Sequence, residues 1–454
     1  MKSIFFFITI LFATVVHAQQ NFTQDSIIIK RMVDDVMKSK AAYENLRVLC
    51  KKIGPRLSGS LGAEKAITAG LNMLKAAGAD TVYLQPCMVP HWVRGAKEVG
   101  YVIVGGQKMN LQLTSLGNSE GTKGKLINAP IVEVTNIDEL ATKNIKGAIV
   151  FINIAMNPTY IRTFKAYGES GVGRRSGPSI AAKYGAIAVM VRSLASNEDG
   201  HPHTGTTVYN DSFSKIPALA ISTNDAERLH KSLLTGKPVI GYLKNNCTML
   251  GMVKSYNVIG ELRGSTYPEQ IITVGGHLDS WDLAEGAQDD GTGIVQSIEV
   301  IRVLKATGMQ PKRTVRAVLF MNEENGGGGA KAYLQQAKLL KEQHVFALES
   351  DAGGFTPRGF NLDMPSTKKA TIQQWAPFFY NYGVYDFKET GSGSDIGPLK
   401  EIGTALAGLG TDSQRYFDLH HAETDVFESV SKRELDLGAA NMAALIWLVS
   451  EYGL

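Results

Sequence analysis

Apolar positions recur along this chain with different periods, and the change of period predicts where helices and strands lie. Between Asp25 and Lys52 the apolar residues have the spacing of a helical face. A second helix is predicted over Ala63–Ala77, with Ser60 or a near neighbour as its N-cap. Near the end of the chain, a strongly apolar segment over Glu434–Val449 predicts a final helix that closes a sheet.

Short apolar runs in the second half of the chain predict buried strands. They lie over Ile271–Val274, Arg313–Phe320 and Val345–Leu348, and a helix is predicted to begin near Gly293. Alternating strands and helices favour an α/β domain, in which a mainly parallel central sheet is flanked by helices on both faces.

The segment between these two regions is rich in Gly, Val and Ile. Short strands are predicted over Ala148–Ile152 and Ala186–Val191, with a helix over Ser179–Tyr184 between them. Its one candidate for metal binding is His201-Pro202-His203, which is more typical of a surface loop. We therefore predict a segment with strands and helices of its own but no metal site.

The N-terminus has the pattern of a secretory signal peptide. Lys2 is followed by an apolar run over Ile4–Val16 and by a small residue, Ala18, at the predicted cleavage site. The run is shorter than the roughly 20 residues that span a bilayer, so we predict export to a secreted or periplasmic location without a membrane span. The predicted segments are the signal peptide (residues 1–18), an N-terminal helical segment with the first part of the α/β domain (19–87), the segment rich in Gly, Val and Ile (88–255) and the remainder of the α/β domain (256–454).

Composition adds few constraints. The chain has 454 residues, of which 44% are hydrophobic and 20% charged, which is typical of a globular protein with room for two domains. A net charge of +4 is too weak to indicate nucleic acid as a partner. Three cysteines argue against a disulfide scaffold, although a single bridge remains open.

Acidic and histidine side chains cluster where the predicted strands end. His277 and Asp279 follow the first strand, and Asp289 and Asp290 come shortly afterwards. The carboxyl edge of an open α/β sheet is where ligands bind. Imidazole and carboxylate together form the ligand set of zinc and related metals. This stretch therefore predicts a metal site.

Three further clusters support the same prediction. Glu323 and Glu324 follow the second strand, Asp351 follows the third, and His420 and His421 come late in the chain. Adjacent carboxylates repel each other unless a cation lies between them, so one glutamate could bind metal while its neighbour handles a proton. Each cluster alone has an ordinary explanation as a loop, but together they indicate metal chemistry.

The order of these motifs resembles that of the co-catalytic two-zinc peptidases, the family of leucyl aminopeptidase and glutamate carboxypeptidase. The motifs are His-x-Asp at 277–279, Asp-Asp-Gly at 289–291, Glu-Glu at 323–324, Glu-Ser-Asp at 349–351 and His-His at 420–421. The resemblance covers essentially the whole mature chain. In addition, residues 88–255 resemble the protease-associated domain inserted in some members, which implies a domain that overhangs the active site.

The resemblance implies two Zn²⁺ ions per chain. The implied ligands are His277, Asp289 and Asp351 for one ion, and Asp289, Glu324 and His421 for the other. Asp289 would then bridge the ions, because a carboxylate has two oxygens. The family also implies a cis peptide after the bridging Asp289, and a structural role is expected for Asp290.

Glu323 and Asp279 are the residues expected to assist catalysis. Glu323 is the predicted general base, which passes a proton from water to the leaving amine. Asp279 is predicted to accept a hydrogen bond from the free ring N–H of His277. His420 remains open between a donor beside the ligands and a packed residue. The loop Thr390–Asp395 remains open between a site that offers N–H groups to a substrate anion and a flexible turn.

The resemblance implies an exported, zinc-dependent exopeptidase that acts on small peptides, with dipeptides bearing free termini as the expected substrates, and a homodimer. A general aminopeptidase of the same family is the first alternative. A glutaminyl cyclase with a single zinc and a non-catalytic binding relative are the others. The complete ligand set together with Glu323 favours a peptidase over the last two.

Overall fold

The computed structural model of the protein describes residues 22–454, so the predicted signal peptide lies outside the described residues. Two sheets organise the described part of the chain, one of seven strands and one of eight. Strands of the first sheet, in spatial order, are β1 (Thr81–Val93), β10 (Thr248–Leu262), β12 (Arg313–Phe320), β11 (Tyr267–His277), β13 (Gln343–Glu349), β15 (Ala405–Thr411) and β14 (Pro357–Asp363).

The centre of the seven-stranded sheet is parallel. Strands β12, β11, β13 and β15 pair in parallel, whereas β10 and β14 are antiparallel to their neighbours. All three strands predicted in this region are present, and β12 has the predicted bounds. Their carboxyl ends meet at one edge, which brings the acidic and histidine clusters of the sequence together.

Helices cover both faces of this sheet, which confirms the predicted α/β class. Helices α8 and α11 bury apolar residues against one face, and α9 packs on the other. Ser60 caps α3 as predicted, because its side chain accepts the Ala63 N–H at 3.2 Å. The helices are α1 (residues 22–38), α2 (Ala41–Arg47), α3 (Leu61–Ala76), α4 (Glu139–Thr142), α5 (Thr163–Arg175), α6 (Gly177–Lys183), α7 (Thr223–Leu233), α8 (Thr292–Ala306), α9 (Gly328–Leu340), α10 (Ser366–Gln374) and α11 (Lys432–Tyr452).

The eight-stranded sheet has its own apolar core and lies between β1 and β10 in sequence. The strands, in spatial order, are β3 (Gln107–Asn110), β2 (Val99–Val104), β9 (Val239–Lys244), β5 (Ile127–Val134), β6 (Ile149–Ile152), β7 (Ala188–Arg192), β8 (Ala218–Ile221) and β4 (Leu113–Ser115). We refer to residues 94–247, which connect β1 to β10, as the insert.

Two long paired strands connect the insert to the rest of the chain. Strands β1 and β10 pair antiparallel along most of their length, with Cys87 opposite Ser255. Both predicted domain boundaries, after residues 87 and 255, therefore fall inside paired strands. Neither long strand was predicted, because the sequence changes character in the middle of each.

The insert also packs against the catalytic part of the chain through an apolar cluster. Its buried members are Met156, Ala166, Leu194, Phe355, Tyr416, Phe417 and Leu419. Short 3₁₀ turns shape this side of the fold, at Ala376–Phe378, Tyr380–Tyr382, Gly397–Ile402, Ser413–Asp418 and Phe427–Ser429. Within residues 22–454, no helix combines the length and apolar character needed to cross a membrane. All three cysteines are buried and unbridged.

Candidate metal centre and substrate cavity

Asp289 lies at the centre of the site, and its two carboxylate oxygens face two different histidines. Oδ1 lies 3.0 Å from Nε2 of His277, and Oδ2 lies 3.2 Å from Nε2 of His421. His277 ends β11, whereas His421 comes from the loop before α11. A carboxylate between two imidazoles in this way has the arrangement of a ligand shared by two cations.

The remaining predicted ligands complete two groups around Asp289. His277 Nε2 also lies 3.4 Å from Asp351 Oδ1, and His421 Nε2 lies 3.1 Å from Glu324 Oε2. The structure therefore brings all five predicted ligands together, with Asp351 beside His277 and Glu324 beside His421.

The donor set fits metal ions on two further grounds. Ligand atoms of His277, Asp289 and Glu324 all lie within 4.8 Å of one another. In addition, Oδ2 of Asp289 and Oε1 of Glu324 are buried without a hydrogen-bond partner. A buried carboxylate oxygen without a donor is costly, and a cation would remove that cost.

The electrostatics of these groups show that the site favours positive charge. Burial raises the pKa of Glu324 to about 8, and the charge of Asp289 adds to this. Burial also raises the pKa of Asp351, to about 6. Burial alone would lower the pKa of His421, but Glu324 and Asp289 outweigh it and raise that pKa to about 10. Metal ions compete with these protons, so metal affinity should fall as the pH falls.

Asp290 supports the backbone, as expected. Its Oδ2 accepts the N–H of His277 at 3.0 Å, and its Oδ1 accepts the N–H of Gly293 at 3.0 Å. The Asp289–Asp290 peptide is cis, as the resemblance implied. Asp290 shares a possible ligand group with His277 and Asp351. Because both of its oxygens already accept backbone N–H groups, we place it outside the ligand set.

The contact predicted for Asp279 is wrong in its acceptor atom. His277 Nδ1 lies 2.9 Å from the backbone oxygen of Asp279, not from its carboxylate. The carboxylate instead accepts the N–H groups of Asn322, at 2.6 Å, and Glu323, at 3.1 Å. Strand β11 ends at His277 and the chain bends at Leu278, so the main chain of Asp279 holds the His277 ring while its side chain holds the Glu323 backbone.

Asn322, for which the sequence offered no explanation, completes the turn before Glu323. Its φ is 75°, a left-handed conformation that asparagine tolerates better than most residues. Its side-chain amide donates to Ser58 Oγ at 2.9 Å and its Oδ1 accepts the Gly328 N–H at 3.0 Å. Glu323 is thus presented on a rigid turn, half-buried at the cavity wall.

Asp425 and Arg56 hold the backbone that carries Asp289. The carboxylate of Asp425 accepts the N–H of Gln288 at 2.7 Å and that of Asp289 at 3.1 Å. Arg56 is fully buried and donates to the backbone oxygens of Leu278, Glu285 and Gly286. Sequence reasoning missed Arg56, because three backbone acceptors leave no trace in composition.

Residues of the insert contact the turn that carries His420 and His421. The backbone oxygen of Thr204 lies 3.2 Å from His421 Nδ1, which leaves Nε2 facing Asp289 and Glu324. Arg174 Nη1 lies 3.4 Å from the same Nδ1. These contacts were missed, since 217 and 247 residues separate the partners and no local pattern joins them.

The surface-loop interpretation of His201-Pro202-His203 is also corrected here. His203 is 1% exposed, and its Nδ1 lies 2.6 Å from the backbone oxygen of His420. His201 Nδ1 lies 2.7 Å from Glu423 Oε1. This segment therefore positions the histidine turn. Within the described chain, neither residue belongs to a candidate metal group.

A cavity of about 530 Å³ opens beside Asp289, within the range of roughly 300–1,000 Å³ typical of small-molecule sites. Its walls come from both parts of the chain. Catalytic-side residues on the walls include Glu323, Glu324, Glu349, Asp351, Ser392, Gly393, Ser394, His420 and His421. Insert residues on the walls are Phe164, Tyr167, Arg174, Arg175 and Thr206.

His420 lies on this wall and stacks on His421, with ring centroids 3.5 Å apart. Its Nε2 is 3.6 Å from Asp289 Oδ2, and Asp289, His420 and His421 form a possible ligand group. Its Nδ1 is buried without a partner. Both open interpretations of His420, a donor and a packed residue, agree with this position.

Comparison with known proteins agrees with these observations. The model of peptidase family M28 matches residues 257–446. The chain is 35% identical over 413 residues to carboxypeptidase Q of Homo sapiens, with 90% of this chain and 84% of that protein covered.

Solved structures give the same result. A peptidase M28 precursor from Shewanella amazonensis has a TM-score of 0.90 and 30% identity, with 94% of this chain and 97% of that chain covered. A zinc aminopeptidase from Bacillus subtilis has a TM-score of 0.63 at 22% identity, with 91% of this chain and 95% of that chain covered, which shows similarity of fold alone.

Proposed function

Because this chain belongs to peptidase family M28, and is therefore a metallopeptidase, we propose that it is a zinc-dependent exopeptidase acting on small peptides. The observation that carries the proposal is Asp289, whose two oxygens face His277 and His421 separately. One shared carboxylate between two sets of ligands supports a pair of ions.

His277, Asp289 and Asp351 would hold one Zn²⁺, and Asp289, Glu324 and His421 the other. Zinc ions bound there would polarise the scissile carbonyl and lower the pKa of water. The zinc aminopeptidase among the solved structures of similar fold supports this choice of metal. Thr204 and the Asp279 backbone, which face the Nδ1 atoms of the two histidines, would fix both rings.

Glu323 is the proposed general base. Its carboxylate lies on the cavity wall next to Glu324, a proposed ligand, but is not itself a member of either ligand set. It takes the proton from the attacking water and passes it to the leaving amine nitrogen as the peptide bond breaks. Asp279 positions this base, because its carboxylate holds the Asn322 and Glu323 N–H groups.

The proposed substrates are dipeptides with both termini free. The cavity volume of about 530 Å³ and the insert residues on its walls favour a short substrate over a long chain. Arg174, on its wall, is 4% exposed, and its Nε lacks a hydrogen-bond partner. A buried guanidinium with a free donor suits a carboxylate.

The sequence left open whether the Thr390–Asp395 loop offers N–H groups to a substrate anion or is a flexible turn. The N–H groups of Asp395 and Ile396 donate to Glu349, at 3.1 and 2.8 Å, so this part of the Thr390–Asp395 loop is not free to hold a substrate anion. The insert is the better candidate for the carboxylate end.

Blocking either terminus should therefore slow turnover. Charge-assisted hydrogen bonds contribute about 1.5–3 kcal/mol each, so an N-acetyl dipeptide and a dipeptide amide should each lose roughly ten- to a hundredfold in kcat/KM. Initial rates on one dipeptide and its two blocked forms measure this. Equal rates on all three, or faster cleavage of long peptides, would instead favour a general aminopeptidase.

We also propose export and a homodimer. The Lys2, Ile4–Val16 and Ala18 pattern supports cleavage after Ala18, so native protein should begin at Gln19. N-terminal sequencing of protein from its own source tests this, and a chain that still begins at Met1 would contradict it. The homodimer rests on the family resemblance alone.

A further inference from the structure

Glu349 is a buried acid on the cavity wall that the proposed mechanism does not use. It ends β13, two residues before Asp351, and is 1% exposed. Its Oε2 accepts the N–H groups of Asp395 and Ile396. Its Oε1 has no hydrogen-bond partner, so half of this carboxylate is buried and unsatisfied.

The loop around Glu349 is shaped to approach its carboxylate closely. A Cβ atom at Gly393 would lie 2.0 Å from Glu349 Cδ, so only glycine allows this approach. Ser392, Gly393 and Ser394 line the cavity beside it. The loop therefore packs directly against the acid, and both the loop and Glu349 line the cavity.

A second acid stands behind the first. Asp395 is 1% exposed, and neither of its carboxyl oxygens has a hydrogen-bond partner. Among residues 22–454, no lysine or arginine forms an ion pair with Glu349 or Asp395. Two buried acids without a basic partner need a cation or a proton from elsewhere.

The cavity lining carries charges of both signs. Arg174 and Arg175 of the insert line the cavity, and so do the acids Glu349, Glu323 and Asp351. An ammonium group has three N–H donors and no acceptor, which matches an unpaired carboxylate oxygen.

Resting on the function proposed above, we propose that Glu349, backed by Asp395, binds the free α-ammonium group of the substrate. The Gly393 loop then holds the Glu349 carboxylate against the substrate, instead of binding a substrate anion with its own N–H groups. Glu349 is then a specificity residue that selects peptides with an unblocked amino terminus.

Glu349→Gln separates this role from a structural one. The glutamine oxygen can still accept the Asp395 and Ile396 N–H groups, while its uncharged NH₂ takes the place of the unpaired Oε1. We expect zinc-loaded Glu349→Gln to lose about ten- to a hundredfold in kcat/KM on a dipeptide. On the desamino analogue, in which hydrogen replaces the α-ammonium group, the variant should match the wild type within about threefold.

Binding measurements make the subsite testable apart from turnover. In the Glu323→Gln background, calorimetry should show the same ten- to hundredfold weakening of dipeptide affinity on adding Glu349→Gln. The matched control is Glu401→Gln, since Glu401 is an exposed acid paired with Lys338 and remote from the cavity walls. Glu401→Gln should leave the affinity for the dipeptide unchanged.

The outcomes separate the two proposals. Equal losses on the dipeptide and on its desamino analogue would mean that Glu349 only anchors the loop, and would overturn the subsite. An unchanged dipeptide affinity in Glu349→Gln would overturn it as well. A third outcome is possible. If Glu349→Gln weakens dipeptide binding as expected but the zinc-loaded wild type never cleaves dipeptides, the proposed function would be contradicted and the subsite would stand.

Discussion

Replacing Glu323 with glutamine is expected to lower kcat by about 10²- to 10⁴-fold, the usual contribution of a positioned general base. The amide cannot take a proton from water, yet it has nearly the same shape as the acid. The turn that presents Glu323 is held through its backbone N–H and through Asn322, so the fold should be unaffected. Kinetics on a dipeptide, with zinc content measured on the same sample, test this.

Two further variants serve as comparisons for Glu323→Gln. Glu324→Gln should lower zinc content together with activity, because Glu324 is a proposed ligand. Glu401→Gln is the matched control and should change neither, because Glu401 is an exposed acid that pairs with Lys338 away from the cavity walls. If Glu323→Gln retained kcat within about tenfold of the wild type, the general-base role would be wrong.

Removing the Asp289 side chain is expected to abolish both metal binding and activity. Asp289→Ala deletes the only proposed ligand that both ions share, so zinc content should fall from about two per chain to near zero. His421→Ala should instead remove about one, because His277, Asp289 and Asp351 remain. Metal analysis after equilibration with equal free zinc compares the three proteins.

Asp363→Asn is the matched control for this series. Asp363 is a partly exposed acid at the end of β14 and pairs with Lys400, away from the cavity walls. Asp363→Asn removes one negative charge, as Asp289→Ala does, but it removes no proposed ligand. Zinc content should therefore stay at the wild-type value. An Asp289→Ala protein that kept two zinc ions per chain would refute the bridging role.

The strands around the site were predictable because acidic and histidine residues directly follow their apolar runs. An apolar run that ends in His277, or in Glu323 and Glu324, predicts both a buried strand and the edge at which it ends. The same argument places Asp351 after β13. The structure contains these strands where the apolar runs predicted them, because a run of apolar residues is a local property of the sequence.

The contacts made by the insert could not be read in this way. Arg174 and Thr204 meet His421 across more than 200 residues of sequence, and His203 resembles any histidine beside a proline. Tertiary contacts of this kind depend on how two sheets pack. Asp279 shows the same limit at short range, because its motif predicts proximity to His277 but not which oxygen faces the ring.

Glu349 illustrates a third kind of limit. In the sequence it is one acid among several after a strand, and the loop that contains the glycines at 391 and 393 was left open between an anion site and a flexible turn. Its significance arises from burial and from the oxygen left without a partner. Both depend on the close approach of Gly393, which no spacing rule predicts.

The central claim is a pair of zinc ions bridged by Asp289. A crystal structure of the zinc-loaded protein, with anomalous differences recorded at the zinc absorption edge, tests it most directly. The account predicts two peaks per chain, one among His277, Asp289 and Asp351 and the other among Asp289, Glu324 and His421. A single peak, or a peak bound by His420 in place of His421, would contradict it.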